Sequence, residues 1–342
     1  MSLANAVPYQ GRGHEMQFGL LKRREFITLF GGLAAWPVAA MGQQSSIPMI
    51  GFINGSSAGA YAAYVQAFLD GLGETGHVVG RNVAIEYRWA EGHYERIPEM
   101  VDELVRSRVA VLAPNTPAAQ ATKRAAGNIP VVFFTGEDPV ASGLVESLNR
   151  PGGNATGVTS LFGDLAGKQV GLLRELVPSA TLIAYLVNPG NPITDRNVRD
   201  AIDAAQKLGE KIEIVHASSE VEIDAAFDTM RGMRASALLV QLDAFLINKR
   251  IVELAARDAL PAMYQTRQLV SAGGLMSYGS SLVDMYRQMG VYVGKVLGGT
   301  KPAEMPVLRP IKFEMAINLK TAKALGIDVP PTLLAIADDV IE

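Results

Sequence analysis

The sequence predicts an α/β protein with two lobes of similar layout, each built on a parallel sheet that helices cover on both faces. Short apolar runs alternate with helical patterns along the chain after residue 42, which is typical of βα units. These units form two arrays of similar size, which meet near Ser160. About 300 residues is also long for a single hydrophobic core, and chains of that length usually divide into two domains.

The first array begins with an apolar strand at residues 48–54, which ends at the turn-rich segment NGSSAG. Apolar side chains then recur at helical spacing over residues 61–72, which predicts an amphipathic helix. The remaining strands are predicted at residues 83–89, 109–113, 131–135 and 157–160. The remaining helices are predicted at residues 97–106 and 117–126.

The second array repeats this alternation without a detectable residue-level repeat. Its helices are predicted around residues 165–176, 197–208, 221–233 and 248–259, and its strands at 182–187, 212–215, 237–241 and 262–264. A further strand at 275–278 and a long helix at 285–297 follow. After the proline-rich segment KPAEMPVLRP, the pattern predicts a last strand at 313–317 and a last helix at 319–325.

The segment before the first array has the layout of an export leader. A basic cluster at residues 22–24 precedes a mostly apolar run at residues 27–40, which is too short to cross ~30 Å of hydrocarbon comfortably. Small residues, Ala40 and Gly42, then stand where a signal peptidase requires them. We therefore expect residues 1–42 to be removed and the mature chain to start near Gln43.

The arginine pair of KRREF resembles a twin-arginine signal, although the general export route also accepts such a pair. Met16 lies shortly before the basic cluster. A translation start at Met16 is therefore the alternative, and residues 1–15 would then not belong to the protein. A cytoplasmic protein with an amphipathic N-terminal segment is the competing interpretation.

The composition excludes several classes of function. Without residues 1–42, which hold four of the 31 basic and two of the 34 acidic side chains, the chain has a formal charge of −5. Nucleic-acid binding requires a concentrated basic surface, so we expect no nucleic-acid partner. The chain has no cysteine, which excludes disulfides, thiolate catalysis and a lipid-anchored cysteine after the leader. We therefore expect a product free in solution, with no stable membrane insertion.

No catalytic or cofactor motif has the right context. GLGETG at residues 71–76 matches a dinucleotide-binding pattern, but it ends a helix instead of opening one. The segment GSSAG at residues 55–59 matches the letters of G-x-S-x-G, but the histidines after the leader stand far apart and none is identified as the base that such a serine needs. We expect no catalytic residue, no cofactor and no metal site.

The candidate binding residues lie in loops at the carboxyl ends of the strands, where open α/β sheets bind ligands. Loop amides and hydroxyls near a helix start can hold a carboxylate, and loop carboxylates can pair with an ammonium. Plain helix capping is the alternative for each loop, with Thr116 as N-cap and Pro117 as first helical residue. The candidates are Asn54, Ser56, Ser57, Asn115, Thr116, Thr135, Glu137 and Asp138 in the first array, and Asn188, Asn191, Asp243 and Tyr264 in the second.

Aromatic side chains near strand ends are candidates for contacts with a planar ligand. Core packing is the alternative for each of them. They are Tyr61, Trp89, Phe245, Tyr264 and Tyr278.

Three blocks of the sequence resemble one family. They are NVAIEYRWAEGHYERIPEMVDELV at residues 82–105, GEDPVASGLVESLNRPGGNATGVTS at 136–160 and FEMAINLKTAKALGIDVPP at 313–331. Together with the leader, they are similar to the substrate-binding proteins of ABC transporters that are related to bacterial tryptophan- and tyrosine-binding proteins. The similarity extends through essentially the whole mature chain.

The resemblance implies a type I periplasmic-binding fold, with two doubly wound parallel-sheet lobes joined by a three-segment hinge. The crossings are expected near Ser160, Tyr278 and Lys312. Lobe 1 would then comprise residues 43–160 and 279–311, and lobe 2 residues 161–278 and 312–342.

The resemblance also implies a periplasmic monomer that binds a small molecule, with an aromatic amino acid or related compound as best candidate. Closure of the lobes would be followed by delivery to a permease and ATPase subunits in other chains. We predict that Ser56, Ser57 and Thr116 hold an acidic group of the ligand and that Asp243 or Glu137 meets its amine. Tyr61, Trp89 and Tyr278 would shape the side-chain pocket.

Two other functions remain compatible with the sequence. A sensor that signals to a membrane receptor would share all of these features. An exported α/β enzyme would have Glu137 with Asp138 as its only local pair of carboxylates.

Overall fold

The computed structural model describes residues 47–160, 165–309 and 313–342, so the predicted leader lies outside the described residues. The described chain forms two sheets, one of five strands and one of seven. Each sheet has helices packed against it and forms the centre of one lobe, which confirms the predicted α/β fold with two sheet-based lobes. Within the described ranges, no helix combines the length and the hydropathy that a membrane crossing requires.

The first lobe contains a five-stranded parallel sheet in the order β2-β1-β3-β4-β5. Its strands are β1 (Met49–Asn54), β2 (Ala84–Trp89), β3 (Val111–Pro114), β4 (Val131–Thr135) and β5 (Ala155–Thr159). Its helices are α1 (Ala62–Glu74), α2 (Ile97–Arg106) and α3 (Thr116–Ala125). Strands β1, β3, β4 and β5 are almost wholly buried, as expected for a parallel sheet with both faces covered.

The second lobe contains a seven-stranded sheet in the order β12-β11-β10-β9-β8-β6-β7. Its strands are β6 (Ile183–Val187), β7 (Ile212–His216), β8 (Ala237–Val240), β9 (Ala262–Tyr264), β10 (Met276–Ser280), β11 (Phe313–Asn318) and β12 (Asp339–Ile341). The helices that follow α3 are α4 (Ala166–Leu176), α5 (Thr194–Leu208), α6 (Glu220–Gly232), α7 (Lys249–Arg257), α8 (Arg267–Ser271), α9 (Leu282–Leu297), α10 (Leu319–Ala324) and α11 (Pro331–Ile336).

The second sheet differs from the sequence prediction in two ways. Strand β11 pairs antiparallel with β10, so the sheet is mixed instead of wholly parallel. Two short helices, α8 and α11, and the edge strand β12 were not predicted. They have five, six and three residues, and segments so short give too few repeats for a periodic pattern to be recognised.

Helix α9 follows a strand of the second lobe but packs against the first lobe. It lies along α1 and also contacts β3, β4 and β5. Gly71 and Gly290 permit this close approach. A Cβ atom on Gly71 would lie 1.9 Å from the carbonyl oxygen of Arg287, and one on Gly290 would lie 2.0 Å from the carbonyl oxygen of Phe68. The chain therefore returns to the first lobe after β10 and then contributes β11 to the second sheet.

On this packing, we propose the predicted lobe boundaries as the places where the chain crosses between lobes. The first two crossings would lie near Ser160 and Tyr278. The third, near Lys312, falls outside the described residues.

Candidate functional site

Loops from both lobes enclose a cavity, here called the Asp243 cavity. The first lobe supplies residues that follow β1, β3 and β4, and the second lobe supplies residues that follow β6 and β8. Its volume is about 20 Å³, which is room for about one water molecule. The lining consists of Tyr61, Asn115, Thr116, Pro117, Phe134, Gly136, Asn191, Ile193, Leu242, Asp243, Ala244 and Leu282.

A network of side-chain amides fixes the first-lobe wall. The Asn54 side-chain oxygen accepts hydrogen bonds from the backbone N–H of Ser56 (2.8 Å) and from Asn115 Nδ2 (3.0 Å). The Asn115 side-chain oxygen in turn accepts from the backbone N–H of Gly55 (3.1 Å). Asn54 Nδ2 donates to the hydroxyl of Tyr286 on α9 (3.3 Å). Buried amides with these partners hold the two loops in one geometry.

Thr116 begins helix α3, and its hydroxyl faces the loop that follows β4. Thr116 Oγ1 accepts a hydrogen bond from the backbone N–H of Gly136 (3.0 Å), so its own O–H proton remains available to donate. The prediction of Thr116 as N-cap is wrong. Asn115 has the extended backbone of the N-cap, Thr116 is the first helical residue, and neither side chain makes a capping hydrogen bond. The reason is that the Asn115 oxygen is already engaged with Gly55.

Asp243 is the charged residue of the cavity wall, and only 2% of its surface is exposed. Its Oδ1 atom accepts from Asn188 Nδ2 (3.1 Å) and from the backbone N–H groups of Phe245 (2.9 Å) and Leu246 (3.1 Å). Its Oδ2 atom accepts from Asn191 Nδ2 (2.7 Å). These donors compensate much of the cost of burying a carboxylate.

A fifth donor to Asp243 comes from the other lobe. The Tyr94 hydroxyl, which lies in a 3₁₀ turn after β2, donates to Asp243 Oδ2 over 2.8 Å. Burial, followed by the negative charge of Asp243, raises the pKa of Tyr94 well above its usual value. Tyr94 therefore remains a neutral donor at physiological pH, and this hydrogen bond joins the two lobes directly.

Aromatic rings of the first lobe support the cavity. Tyr61 packs edge-to-face against Tyr64 and Tyr286, with ring centroids 5.1 and 5.8 Å apart. Phe134 packs against Tyr286 at 5.3 Å. Burial, followed by the nearby phenol groups, raises the pKa of Tyr61. The cavity is thus bordered by neutral aromatic side chains that α1, β4 and α9 hold in place.

The structure brings many of the predicted residues to this region. Tyr61, Asn115, Thr116, Asn191 and Asp243 line the Asp243 cavity. Asn54 and Asn188 lie behind it as hydrogen-bond partners of Asn115 and Asp243. A second interlobe space of about 600 Å³, here called the Ser57 cleft, is lined by Ser56, Ser57 and Phe245 among others.

Three residues of the loop after β4 have turn-forming roles and do not line the cavity. Thr135 Oγ1 accepts from the backbone N–H of Glu137 (3.0 Å). Asp138 Oδ1 accepts from the backbone N–H groups of Val140 (2.9 Å) and Ala141 (3.2 Å), which closes a turn and does not cap a helix. The Glu137 carboxylate is 3.5 Å from Gln120 Nε2.

Three predicted aromatic residues also lie away from the Asp243 cavity. Trp89 is stacked on Tyr87 in the edge strand β2, with ring centroids 6.1 Å apart. Tyr278 is stacked on Phe313 at 6.2 Å. Tyr264 is fully buried among residues of α7 and the α8–β10 loop. The strand-end position was correct for Tyr264, but its side chain does not line the Asp243 cavity.

The sequence interpretation missed Tyr94, which donates to Asp243 although it does not itself line the cavity. It also missed Phe134, Leu242 and Leu282, which do line the cavity. The apolar residues adjoin predicted strand ends, so a wider search around those ends would have found them. Tyr94 gives no such signal because it follows an edge strand in a turn and meets Asp243 only when the lobes come together.

Comparisons with known proteins show a matching family and similar folds. A model of the family "ABC transporter substrate binding protein" matches residues 46–341. A curated tyrosine-binding protein from Clostridioides difficile (strain R20291) is 26% identical over 263 residues, which cover 76% of this chain and 75% of that protein.

Two solved structures have nearly the same fold. One is an ABC domain from Streptococcus pneumoniae in complex with L-Trp, with a TM-score of 0.78 and 28% identity over 86% of this chain and 100% of that chain. The other is a conserved domain protein from Vibrio cholerae O1 biovar El Tor strain N16961, with a TM-score of 0.79 and 26% identity over 86% of this chain and 99% of that chain.

Proposed function

Because the chain belongs to the family of ABC transporter substrate-binding proteins, we propose that it captures a small molecule between its lobes and delivers it to a membrane permease. ATPase subunits in other chains would drive the transport. The observation that carries this proposal is the Asp243 cavity, whose wall both lobes build from buried polar and aromatic side chains. A ligand that touches both lobes stabilises their closed arrangement.

We propose an aromatic amino acid as the ligand. The tyrosine-binding relative and the structure in complex with L-Trp support this class of compound. In this chain, Tyr61 and Phe134 border the cavity and provide aromatic faces for a planar side chain. Trp89 and Tyr278 do not line it, so we transfer their proposed role in shaping the pocket to Phe134.

The ligand carboxylate would lie at the start of helix α3. The positive end of a helix favours an anion, and the Thr116 hydroxyl can donate while it accepts from Gly136. Ser56 and Ser57, which line the Ser57 cleft, are proposed to contact the same group when the lobes are further apart. Among the residues that line the Asp243 cavity there is no lysine or arginine, so neutral donors would carry this recognition.

The ligand ammonium would bind Asp243. Glu137, the alternative, does not line the cavity. Because five donors already surround the Asp243 carboxylate, the ammonium must replace one of them. Tyr94 is the donor that movement of the lobes can withdraw, since the other four belong to the same lobe as Asp243.

The size of the cavity implies that binding requires movement. A space of about 20 Å³ cannot hold an amino acid, so the lobes must separate for ligand to enter. We propose that the Tyr94–Asp243 hydrogen bond opens in this step. The proposed export to the periplasm rests on the leader prediction, which concerns residues outside those described.

Isothermal titration calorimetry with L-tryptophan and L-tyrosine tests this proposal. Loss of a hydrogen bond to a charged group costs about 1.5–3 kcal/mol, so we expect Asp243→Asn to weaken binding roughly 10- to 100-fold. Asp203→Asn is the matched control, because Asp203 is an exposed residue of α5 in the same lobe. Thr116→Val should also weaken binding. If Asp243→Asn and Thr116→Val both folded and kept affinity within twofold, the assigned site would be wrong.

The same titration separates binding from catalysis. A binding protein takes up ligand with a fixed stoichiometry and returns it unchanged, whereas an enzyme would convert it. Deletion of the gene should abolish uptake of the bound amino acid, while a sensor would leave uptake intact and remove a signalling response.

A further inference from the structure

A third interlobe space, here called the Gln265 cleft, has no role in the proposed function. Its volume is about 760 Å³, and it is bounded by α1 and the start of α9 from the first lobe and by the loop after β9, α8, the end of β10, β11 and β12 from the second. Neither Asp243 nor Thr116 lines it. The cleft adjoins the Asp243 cavity only at Leu282, which borders both spaces, so it is a second place at which one molecule could touch both lobes.

Buried oxygen atoms without a hydrogen-bond donor lie in the wall of this cleft. Gln265 Oε1 and Ser280 Oγ have no partner among the described residues, and these residues are only 8% and 4% exposed. Gln268 Nε2 donates to the carbonyl oxygen of Ala60 across the lobes (2.8 Å), which fixes its Oε1 atom as an unpartnered acceptor. An acceptor that is buried without a donor is unfavourable, so a ligand that brings N–H donors would be favoured.

The charges of the wall favour the same kind of ligand. Two arginines and four carboxylates line the cleft. Both arginines are engaged: Arg267 with Asp339 (2.6 Å) and Arg287 with Asp284 (3.3 Å). Asp338 accepts from the backbone N–H of Met315 (2.8 Å) and has no ion pair among the described residues.

We propose that the Gln265 cleft binds a small organic cation with several N–H donors, of the aliphatic diamine class. Ammonium groups would donate to Gln265 Oε1 and Gln268 Oε1 after small side-chain rotations. They would also neutralise the negative charge of Asp338. Because Tyr64 belongs to the first lobe and Gln265 to the second, an occupied cleft would favour the closed arrangement from a site distinct from the Asp243 cavity.

Titration calorimetry with 1,4-diaminobutane, in the absence of any amino acid, tests this inference. We expect saturable binding of one diamine per chain that weakens at least threefold when 0.5 M NaCl is added, because salt screens charge attraction. Butane-1,4-diol has the same chain length without charge and should give no saturable heat. These measurements do not depend on ligand binding at Asp243, so failure here leaves the proposed function untouched.

Two variants with the same change of charge locate the site. Asp338→Asn keeps an acceptor for the backbone of Met315 and should weaken diamine binding at least threefold. Asp102→Asn alters an exposed residue of α2 in the first lobe and should leave affinity within twofold. Absence of saturable binding up to millimolar diamine, or equal losses in both variants, would overturn the proposal in favour of no site or of diffuse charge attraction.

Discussion

The packing of α1 against α9 depends on Gly71, and substitution by alanine tests how closely the two helices approach. A Cβ atom at this position would lie 1.9 Å from the carbonyl oxygen of Arg287. Real Cβ contacts do not fall below 3.0 Å, so the helices would have to separate locally by about 1 Å. The obstacle is backbone of α9, which cannot rotate away as a side chain can.

Gly73 provides a control on the same helix. It is exposed, and a Cβ atom there would meet no other atom within 4 Å. Replacing glycine by alanine within a helix stabilises it by about 0.8–1 kcal/mol, and this gain applies in part to both variants. Overpacking typically costs about 1–3 kcal/mol. We therefore expect Gly71→Ala to have a free energy of unfolding about 1–3 kcal/mol below that of Gly73→Ala.

Urea denaturation followed by circular dichroism measures this difference. Equal m-values in the two variants would show that the same surface unfolds in both. If Gly71→Ala matched Gly73→Ala within about 0.5 kcal/mol, the close approach of α1 and α9 would be wrong. The outcome also concerns the candidate site, because the rings of Tyr61, Tyr64 and Tyr286 pack together where these two helices meet.

Two further predictions concern acid stability and lobe closure. Hydrogen bonds from Arg257, together with the charges of Arg257 and Arg231, lower the pKa of Asp258. The contribution of Asp258 to stability is therefore fully present above the usual aspartate pKa and is lost as the pH falls through the lowered pKa. The difference in urea midpoint between wild type and Asp258→Asn should therefore shrink between pH 6 and pH 3, and a constant difference would contradict this. Tyr94→Phe removes the hydrogen bond from Tyr94 to Asp243, which joins the lobes, and should increase the radius of gyration of the ligand-free protein in X-ray scattering. L-tryptophan should bind this variant at least as tightly as wild type, and a tenfold loss would mean that Tyr94 stays on Asp243 in the complex.

The sequence predicted the order of strands and helices because most elements are long enough to show their period. The strands at residues 183–187 and 237–240 are continuous apolar runs, and helix α2 has a clear apolar face. The antiparallel direction of β11 could not be predicted from the apolar pattern of the sequence. A strand has the same composition whether it runs parallel or antiparallel, and here the long excursion through α9 determines its direction.

The candidate site was predictable where it depends on topology and not where it depends on side-chain direction. Asn115 and Asp243 follow strands of different lobes, and the rule for ligand sites at strand ends brought both to the same cavity. Tyr264 also ends a strand, but its ring packs against Gly274, where a Cβ atom would lie 2.5 Å from the ring. Which face a side chain occupies depends on register, and a strand of three residues contains too little alternation to reveal it.

Asp243 connects lobe closure with ligand binding in the proposed mechanism. Its carboxylate accepts hydrogen bonds from its own lobe, from the opposite lobe and, in our proposal, from the ligand. Four donors from the second lobe orient it without any contribution from the first lobe. Among the five donors to Asp243, only Tyr94 belongs to the opposite lobe. An ammonium brings a full positive charge to Oδ2, whereas the Tyr94 hydroxyl brings only a dipole, so the ammonium adds a charge–charge attraction that the hydroxyl lacks. The Tyr94 hydrogen bond can therefore hold the ligand-free lobes together weakly enough for the ligand to displace it.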